Sequence, residues 1–407
     1  MTTQSAMRRL WVLGGGKGGV GKSFLTASMA TVLARMGKSA IAVDADLGCP
    51  NLHTFLGIKS PSRTLLDHFG GHARVEDLLL ETAQPGLHMI SCSPSLPASA
   101  NPLFGEKEKI IKFILDLEAD CVLVDIGSGT EFTVLDFFNM TEEGIVVASP
   151  DPASMQNVYG FIKSAIFRRI QRGFGSYPAV IEALKEFQWK GGDSKSHTMM
   201  DFYDALCTTE PALAEHVAAM VDQFRPLMVI NMADSEDDQR VAEIVQTTSK
   251  KFLNIDIRFC GLIFNDACVR RATRQMASLD FDDPAGVVAE QIREAVERLS
   301  NANNSASTQQ ASAGTPAPAT PIMGLSDDFE IMNNQLHIQT EDLGFTGRCI
   351  TTQVFCKGRV ILSTKSAYPA TLSEGNDQCQ IVELMRKQHF NVIRELESKK
   401  VRFLHPA

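Results

Sequence analysis

Short apolar runs alternate with longer amphipathic stretches between residues 1 and 299. The apolar runs, such as Cys121-Val122-Leu123-Val124, are nearly free of polar positions, as in strands that are buried on both faces of a parallel sheet. We therefore predict an α/β fold, with a doubly wound, mostly parallel sheet and helices on both of its faces. The predicted strands are residues 10–13, 39–43, 87–91, 121–125, 144–148, 227–231 and 257–263.

The pattern changes twice along the chain. Between residues 161 and 224 the strand signal gives way to helical patterning, which indicates a helical insertion longer than an ordinary connection in such a sheet. Residues 300–326 carry no charged side chain and are rich in Ala, Ser, Thr, Asn and Pro. We predict that this stretch is a flexible linker between a first domain, residues 1–299, and a second domain, residues 327–407.

The second domain is predicted to be a small β+α module whose role the sequence does not name. Residues 335–340 and 351–364 alternate between apolar and polar positions as strands do, with Lys357-Gly358 as a hairpin turn, and residues 378–399 follow helical spacing. The apolar side of that helix can either cover the strands or lie on a membrane surface. We favour the cover, because a small sheet needs one to be stable.

Composition limits the classes of protein that remain. The chain is 44% hydrophobic, has a formal net charge of −9, and contains no apolar run of the roughly 20 residues that span a bilayer. Its nine cysteines form no C-x-x-C pair and are expected to be reduced thiols. We predict a cytoplasmic protein that contacts a membrane at most peripherally, at its inner face or at a cell pole. The negative charge disfavours DNA as a partner without excluding a local basic patch.

A phosphate-binding loop follows the first predicted strand. Residues 16–23 match G-x-x-x-x-G-K-[ST] and precede a helix, which is the context of this motif in P-loop NTPases. The glycines let backbone N–H groups turn toward phosphates, Lys22 neutralises phosphate oxygens, and the Ser23 hydroxyl is a ligand for Mg²⁺. The predicted nucleotide-binding residues of this segment are Gly16, Lys17, Gly18, Gly19, Val20, Gly21, Lys22, Ser23 and Phe24.

Two acidic motifs follow later strands. Asp44 and Asp46 lie at the carboxyl end of the second predicted strand, where open α/β sheets bind ligands, and their spacing puts both on one side. Asp125 ends an apolar run and precedes Gly127 and Gly129, which is typical of a Walker B acid followed by a loop that senses the γ-phosphate. With the loop serine, Asp44 and Asp125 are the predicted residues around Mg²⁺.

The loop contains a second lysine, Lys17, which cannot reach the same oxygens as Lys22 without crowding and therefore needs another target. Residues 17–23 read K-G-G-V-G-K-S and resemble the signature of the deviant Walker A ATPases of the MinD/ParA type. This resemblance implies ATP and Mg²⁺ as cofactors, slow hydrolysis, and an ATP-sandwich homodimer in which Lys17 crosses to the partner's nucleotide. It also implies that Asp46 orients the attacking water, so the predicted catalytic residues are Asp46, Lys17 and Lys22.

The resemblance extends to later segments. Asn231 closes a strand where the family has an asparagine that bonds the adenine edge, and Asn265 lies where the family has a G-x-I-P-x-D pattern lining the base. Here Phe264 and Asn265 stand in the region of the expected proline. Residues 149–159 look like the flagellar-number regulator branch of the family. That similarity implies a switch that controls the position or number of a polar or flagellar assembly, through a protein effector that the sequence does not identify.

Three other functions remain open at this point. An iron–sulfur scaffold of the same superfamily would use a C-x-x-C motif, which the sequence lacks, and Cys349 and Cys356 lie on either side of a predicted strand. A plasmid or chromosome partition ATPase would share the same nucleotide motifs. A P-loop kinase or synthetase could place its substrate pocket in residues 161–224, where no set of residues specifies one.

Overall fold

The computed structural model describes residues 8–92, 104–175, 177–189, 198–276, 278–282, 286–306, 325–331, 334–342, 349–356, 359–367 and 378–397. Its strands are β1 (Arg9–Gly14), β2 (Ala40–Ala45), β3 (Leu80–Glu81), β4 (Leu87–Ser91), β5 (Cys121–Ile126), β6 (Ile145–Ala148), β7 (Leu227–Ala233), β8 (Arg258–Phe264), β9 (Leu325–Ile331), β10 (Asn334–Asp342), β11 (Cys349–Cys356) and β12 (Arg359–Ala367). Its helices are α1 (Lys22–Arg35), α2 (Leu52–Phe55), α3 (Leu65–Phe69), α4 (Phe104–Asp116), α5 (Phe132–Phe138), α6 (Pro152–Phe174), α7 (Pro178–Trp189), α8 (Met199–Thr209), α9 (Pro211–Gln223), α10 (Arg240–Leu253), α11 (Ala267–Arg274), α12 (Val287–Ala306) and α13 (Gln378–Glu397).

The larger sheet has eight strands within the described residues, in the order β3-β4-β2-β5-β1-β6-β7-β8. All neighbouring strands are parallel except β3 and β4 at one edge. Alternate residues of β1 enter different cores, since Val12 packs in one hydrophobic cluster while Trp11 and Leu13 pack in another. Helices thus cover both faces, and the predicted doubly wound α/β fold is confirmed. The carboxyl ends of the parallel strands meet at one edge, where such sheets bind ligands.

The predicted strands of this sheet agree with β1, β2, β4, β5, β6, β7 and β8 to within two residues at each end. β3 is new, because a strand of two residues is too short to show a hydrophobic period. The predicted insertion is confirmed as four helices, α6 to α9, between β6 and β7. It begins earlier than residue 161, because Asp151 caps α6 by accepting the N–H of Ser154 at 2.8 Å.

The C-terminal module, residues 325–397, contains an antiparallel sheet of four described strands in the order β12-β11-β10-β9, with α13 against it. Leu336, Ile338 and Val354 of the sheet pack on Val392 and Leu396 of α13. The helix therefore covers the strands, as favoured from the sequence. β9 was not predicted, because its aspartates and glutamate obscure the apolar alternation.

Both ends of the predicted linker, residues 300–326, overlap elements that the structure describes. α12 continues past residue 299 to Ala306, and β9 begins at Leu325. Most of the predicted linker, residues 307–324, and the predicted turn at Lys357-Gly358 lie outside the described residues. Below, the α/β unit means residues 8–306. No helix in the described part of the chain is both long and apolar enough to cross a membrane.

Candidate nucleotide-binding site

The loop between β1 and α1 has a backbone that only glycine adopts easily. Gly19 and Gly21 have φ angles of 80° and 92°, in the left-handed region. At Gly16 the constraint is space, since a Cβ atom there would lie 2.3 Å from the carbonyl oxygen of Asn157 on α6. The loop is therefore pressed between the sheet edge and α6, and its predicted form as a P-loop fits these contacts.

Asn231 on β7 contacts this loop directly. Its Nδ2 donates a hydrogen bond to the Val20 carbonyl at 2.9 Å, and the side chain is buried. A Cβ atom on Gly21 would lie 2.2 Å from that same nitrogen. In this structure Asn231 therefore supports the phosphate loop, whether or not it also reaches a base.

Lys22 and the acids around it share a poorly solvated pocket. Lys22 is 8% exposed, and burial lowers its pKa while the charges of Asp125 and Asp46 raise it. Burial raises the pKa of Asp125 to about 7, against the lowering effects of the nearby Ser23 hydroxyl and Lys22 ammonium. Among the described residues, no hydrogen bond of normal geometry reaches either carboxylate oxygen of Asp125. Two buried oxygens beside a serine hydroxyl are oxygen ligands of the type Mg²⁺ takes, so Ser23 and Asp125 fit the predicted metal.

Asp44 lies opposite Asp125 on the neighbouring strand and is completely buried. Burial, followed by the charge of Asp125, raises the pKa of Asp44 well above its usual range. Its two oxygens accept the N–H groups of Leu52 at 3.0 Å and Asp46 at 3.3 Å. Asp44 therefore shapes the loop after β2 and has less free oxygen for a metal than Asp125 has.

Asp46 lies just beyond the end of β2 and is partly exposed. Its Oδ1 accepts the N–H groups of Gly48 and Cys49 at 3.2 and 3.0 Å. The same oxygen would be 3.5 Å from a Cβ atom on Gly127, so Asp46 faces the loop after β5. The structure thus places Asp46 near Lys22 and next to the loop after β5.

The loop after β5, residues 127–131, touches the phosphate loop at a second point. The N–H of Gly129 donates to the Gly15 carbonyl at 3.3 Å, and Gly129 has a φ of 105°. Ser128 Oγ lies 3.5 Å from where a Cβ atom on Gly18 would be. The two loops are therefore in direct contact at the edge of the site.

Lys17 lies at the exposed rim of the site rather than in the Lys22 pocket. Its ammonium lies 3.4 Å from the carboxylate of Asp151, and its side chain is 44% exposed. Hydrogen bonds from the Ser149 hydroxyl and the Ser154 N–H, with the charge of Lys17, lower the pKa of Asp151. No local sequence pattern predicts this ion pair, because Lys17 and Asp151 lie far apart along the chain.

The remaining predicted nucleotide-binding residues, Asn265 and Phe24, make contacts of other kinds. Asn265 is exposed, and its side-chain oxygen accepts a hydrogen bond from Arg270 at 2.7 Å. Phe24 is buried against Phe55, so its side chain belongs to the core rather than to the site. Met232, which the sequence did not single out, has a φ of 61° next to Asn231 and is exposed. Such strain in a non-glycine residue is often found at ligand sites.

A parallel sheet, a glycine loop leading into a helix, and acids at the ends of the adjacent strands together define a P-loop nucleotide-binding protein. A family model agrees, since residues 11–280 match the CobQ/CobB/MinD/ParA nucleotide binding domain. The chain belongs to that family.

Individual relatives match over shorter segments. The antiactivator FleN of Pseudomonas aeruginosa is 30% identical over 151 residues, which are 37% of this chain and 53% of FleN. The flagellum site-determining protein YlxH of Helicobacter pylori is 31% identical over 162 residues, 36% of this chain and 50% of YlxH. The chain thus spans about half the length of these curated relatives. The cell division ATPase MinD of Pyrococcus furiosus has a similar fold, with a TM-score of 0.50 and 19% identity, covering 73% of this chain and 100% of that one.

Two observations bear on the remaining alternatives. Cys349 and Cys356 are the end residues of β11, so their Cα atoms are roughly 23 Å apart at the usual rise of a strand. They cannot ligate one iron–sulfur cluster within a protomer. Within the described residues, no group of three or more His, Cys, Asp or Glu side chains could hold a metal ion.

Proposed function

We propose that this protein is a dimerising ATP-dependent switch that hydrolyses ATP slowly and regulates the position or number of a polar or flagellar assembly. ATP binding closes two copies face to face, the closed dimer binds an effector, and hydrolysis resets it. Membership of the MinD/ParA-containing family supports the ATPase part of the proposal. The similarity to FleN and YlxH supports the cellular part.

The observation that carries the proposal is the position of Lys17. A lysine that binds the phosphates of its own protomer would lie beside Lys22. Lys17 instead lies at the rim of the site, with 44% of its side chain exposed and its ammonium paired with Asp151. An exposed, weak ion pair is exchanged easily, because such pairs contribute about 0–1 kcal/mol. Lys17 is therefore free to leave Asp151 and reach the nucleotide of a second copy.

The other residues have complementary roles in this proposal. Lys22 and the N–H groups of residues 16–23 hold the phosphates. Ser23 and Asp125 would hold Mg²⁺, which would supply positive charge beside the phosphoryl oxygens. Asp46 orients the attacking water next to Gly127. Because phosphoryl transfer depends mainly on positioning and charge neutralisation, no further acid or base is required.

The test is light scattering with size exclusion on Asp46→Ala, without nucleotide, with ADP and with ATP, each with Mg²⁺. We expect a dimer with ATP alone, because hydrolysis no longer removes the ligand that closes it. Adding Lys17→Ala should return the protein to a monomer. The control substitution is Lys38→Ala, at an exposed lysine beyond α1, and it should leave the dimer intact. An oligomeric state that is the same without nucleotide, with ADP and with ATP would refute the switch.

The cellular role needs a separate experiment. In the organism that encodes the protein, the chromosomal copy would be replaced by Lys22→Ala, which removes phosphate binding. We expect an altered number or position of flagella, and normal numbers with Lys38→Ala. Normal flagella with disturbed plasmid or chromosome partition would instead favour the partition alternative.

A further inference from the structure

The sheet of the C-terminal module is buried on both faces, although α13 covers only one. Val354 and the other residues of the module core point toward α13. The neighbouring residue on β11, Phe355, points to the opposite face because side chains alternate along a strand. Yet Phe355 is 3% exposed, and Gln339 and Thr351 on the same face are buried as well. Something other than α13 covers these residues.

The cover extends over only half of that face. Residues directly opposite each other on antiparallel strands share a face. Phe355 pairs with Val360 of β12, which is 48% exposed, and Thr351 pairs with Lys365, which is also exposed. The covered area therefore lies over β10 and β11 and ends before β12.

One described contact identifies the α/β unit as part of the cover. The ring of Phe355 meets the ring of Phe132, the first residue of α5, edge to face with centroids 5.5 Å apart. On its other side Phe132 lies under the Arg168 guanidinium, 4.1 Å from the ring centroid. Arg168 also binds Asp136, one turn further along α5, through two hydrogen bonds of 2.8 Å. Phe132 is thus the point at which the α/β unit contacts the module.

This contact point lies next to the loop that touches the phosphate site. Two residues separate Phe132 from Gly129, whose N–H is donated to the Gly15 carbonyl of the phosphate loop. A phosphate oxygen that accepts the Gly129 N–H must take it from Gly15, which moves the start of α5. A module held on Phe132 opposes that movement.

We propose that the C-terminal module is a built-in regulatory ligand of the α/β unit, docking through Phe355 on Phe132 and thereby weakening binding of the γ-phosphate. This inference rests on the proposed ATP switch. ATP and docking compete, so ATP releases the module, and by thermodynamic reciprocity release of the module strengthens ATP binding. ADP has no γ-phosphate and is indifferent to docking.

The chemistry of the contact suits a reversible interface. Gln339 and Thr351 on the covered face of the sheet are polar, and Gln353 lies on the same face between them. Interfaces between domains of one chain are more polar than a permanent core, because both surfaces must tolerate water when they separate. A face built only to be buried would be expected to carry aliphatic side chains there.

Docking itself is tested by hydrogen–deuterium exchange on the full chain without nucleotide. Phe355→Ala should speed exchange in residues 130–138 of the α/β unit by about fivefold, the scale of a lost aromatic pair. The matched control is Val360→Ala, its exposed partner on the same face, which should leave residues 130–138 unchanged. Phe132→Ala should conversely speed exchange in residues 349–356, and it leaves the module's own sequence intact. If neither variant alters exchange in the opposite unit, docking is refuted.

Coupling is tested by equilibrium binding of ATPγS and ADP to the same variants. Phe355→Ala and Phe132→Ala should each bind ATPγS about fivefold more tightly than the wild type, and the double variant no more tightly than either. ADP affinity should stay within twofold, roughly the scatter expected without coupling. Equal gains for ATPγS and ADP, or no gain, would overturn the regulatory role. If the wild type bound no ATPγS, the switch itself would fail, and the exchange experiment would still report whether the module docks.

Discussion

At the scale of single residues, Asp125 is notable because its surroundings make ionisation of its carboxyl group unfavourable. Its two oxygens are buried, and burial raises its pKa to about 7. An ordinary aspartate in an unfolded chain has a pKa of about 3.9. A carboxyl group whose pKa rises on folding contributes stability at low pH, which is lost as the pH rises from about 4 through 7. A bound cation would remove that penalty, so the strain favours metal binding.

Asp125→Asn should therefore stabilise the metal-free fold at pH 8. In EDTA we expect a higher thermal unfolding midpoint than wild type at pH 8, and no advantage at about pH 3, where the wild-type carboxyl is mostly protonated in both states. Each kcal/mol regained corresponds to about 2–4 °C in a domain of this size. Asp120→Asn is the control, because hydrogen bonds from Ser39 lower the pKa of Asp120 and give the opposite sign. A lower midpoint for Asp125→Asn at pH 8 would contradict this account.

Asn231 can act on a nucleotide through the loop or through the base, and one substitution distinguishes the two. Because its amide holds the Val20 carbonyl at 2.9 Å, Asn231→Ala should loosen the phosphate loop. We expect ATP and GTP affinities to fall together by roughly tenfold, which is the scale of about 1.4 kcal/mol for a buried hydrogen bond. Fluorescence titration with both nucleotides measures this. A loss confined to ATP would show instead that Asn231 recognises adenine.

Three helices are joined by one buried carboxylate, which is the main feature at the scale of elements. Asp136 on α5 accepts hydrogen bonds from Lys107 on α4 at 2.5 Å and from Arg168 on α6 at 2.8 Å, and all three are buried. Burial alone would raise the pKa of Asp136, but the charges of Arg168 and Lys107 outweigh it and hold that pKa well below its usual range. This cluster holds α5 at Asp136, while the first residue of the helix and the loop before it can move.

Asp136→Asn should destabilise the α/β unit strongly, because two buried cations lose their counter-charge. Breaking a buried pair in this way costs about 3–5 kcal/mol. Because its pKa is depressed on folding, Asp136 stabilises the fold at every pH above the ordinary aspartate range, and this stabilisation disappears only as the pH falls below that range. The destabilisation caused by Asp136→Asn should therefore be the same at pH 5 and pH 8. Urea unfolding measures it. Glu108 forms a partly exposed ion pair with Arg172, so Glu108→Gln should lower the free energy of unfolding far less. Equal losses for the two variants would contradict the stabilising role of Asp136.

The same scale shows what the sequence could and could not predict. Parallel strands buried on both faces have long apolar runs, so β1 and β5 were found with almost correct ends. The short β3 and the acidic β9 were missed, since neither has a clear period. The phosphate loop was predicted because its residues are adjacent in the sequence and form a recognisable motif. Pairs that only folding brings together, Lys17 with Asp151 and Phe132 with Phe355, left no local pattern to read.

For the whole molecule, the distribution of buried residues predicts how it unfolds. The two large clusters lie on opposite faces of one sheet and share its strands, so the α/β unit should unfold as one body. The module has a separate, small cluster around Leu336 and Val392. The covered face of the module sheet carries the polar residues Gln339 and Thr351 beside Phe355, and an interface of this kind does not merge two cores into a single cooperative transition.

We therefore expect two calorimetric transitions in the full chain, with the module melting first. Mg-ATP at 100 times its dissociation constant should stabilise the α/β unit of Asp46→Ala by about 2.7 kcal/mol and shift its transition upward, whereas the module, which ATP releases, should gain no stability. Lys22→Ala, which cannot hold the phosphates, should show no shift in either transition. A single transition that moves as a whole with ATP would mean that the two units form one cooperative structure. In that case the contact between Phe132 and Phe355 would be part of a larger interface, since one aromatic pair contributes only about 0.5–1.5 kcal/mol beyond its buried area.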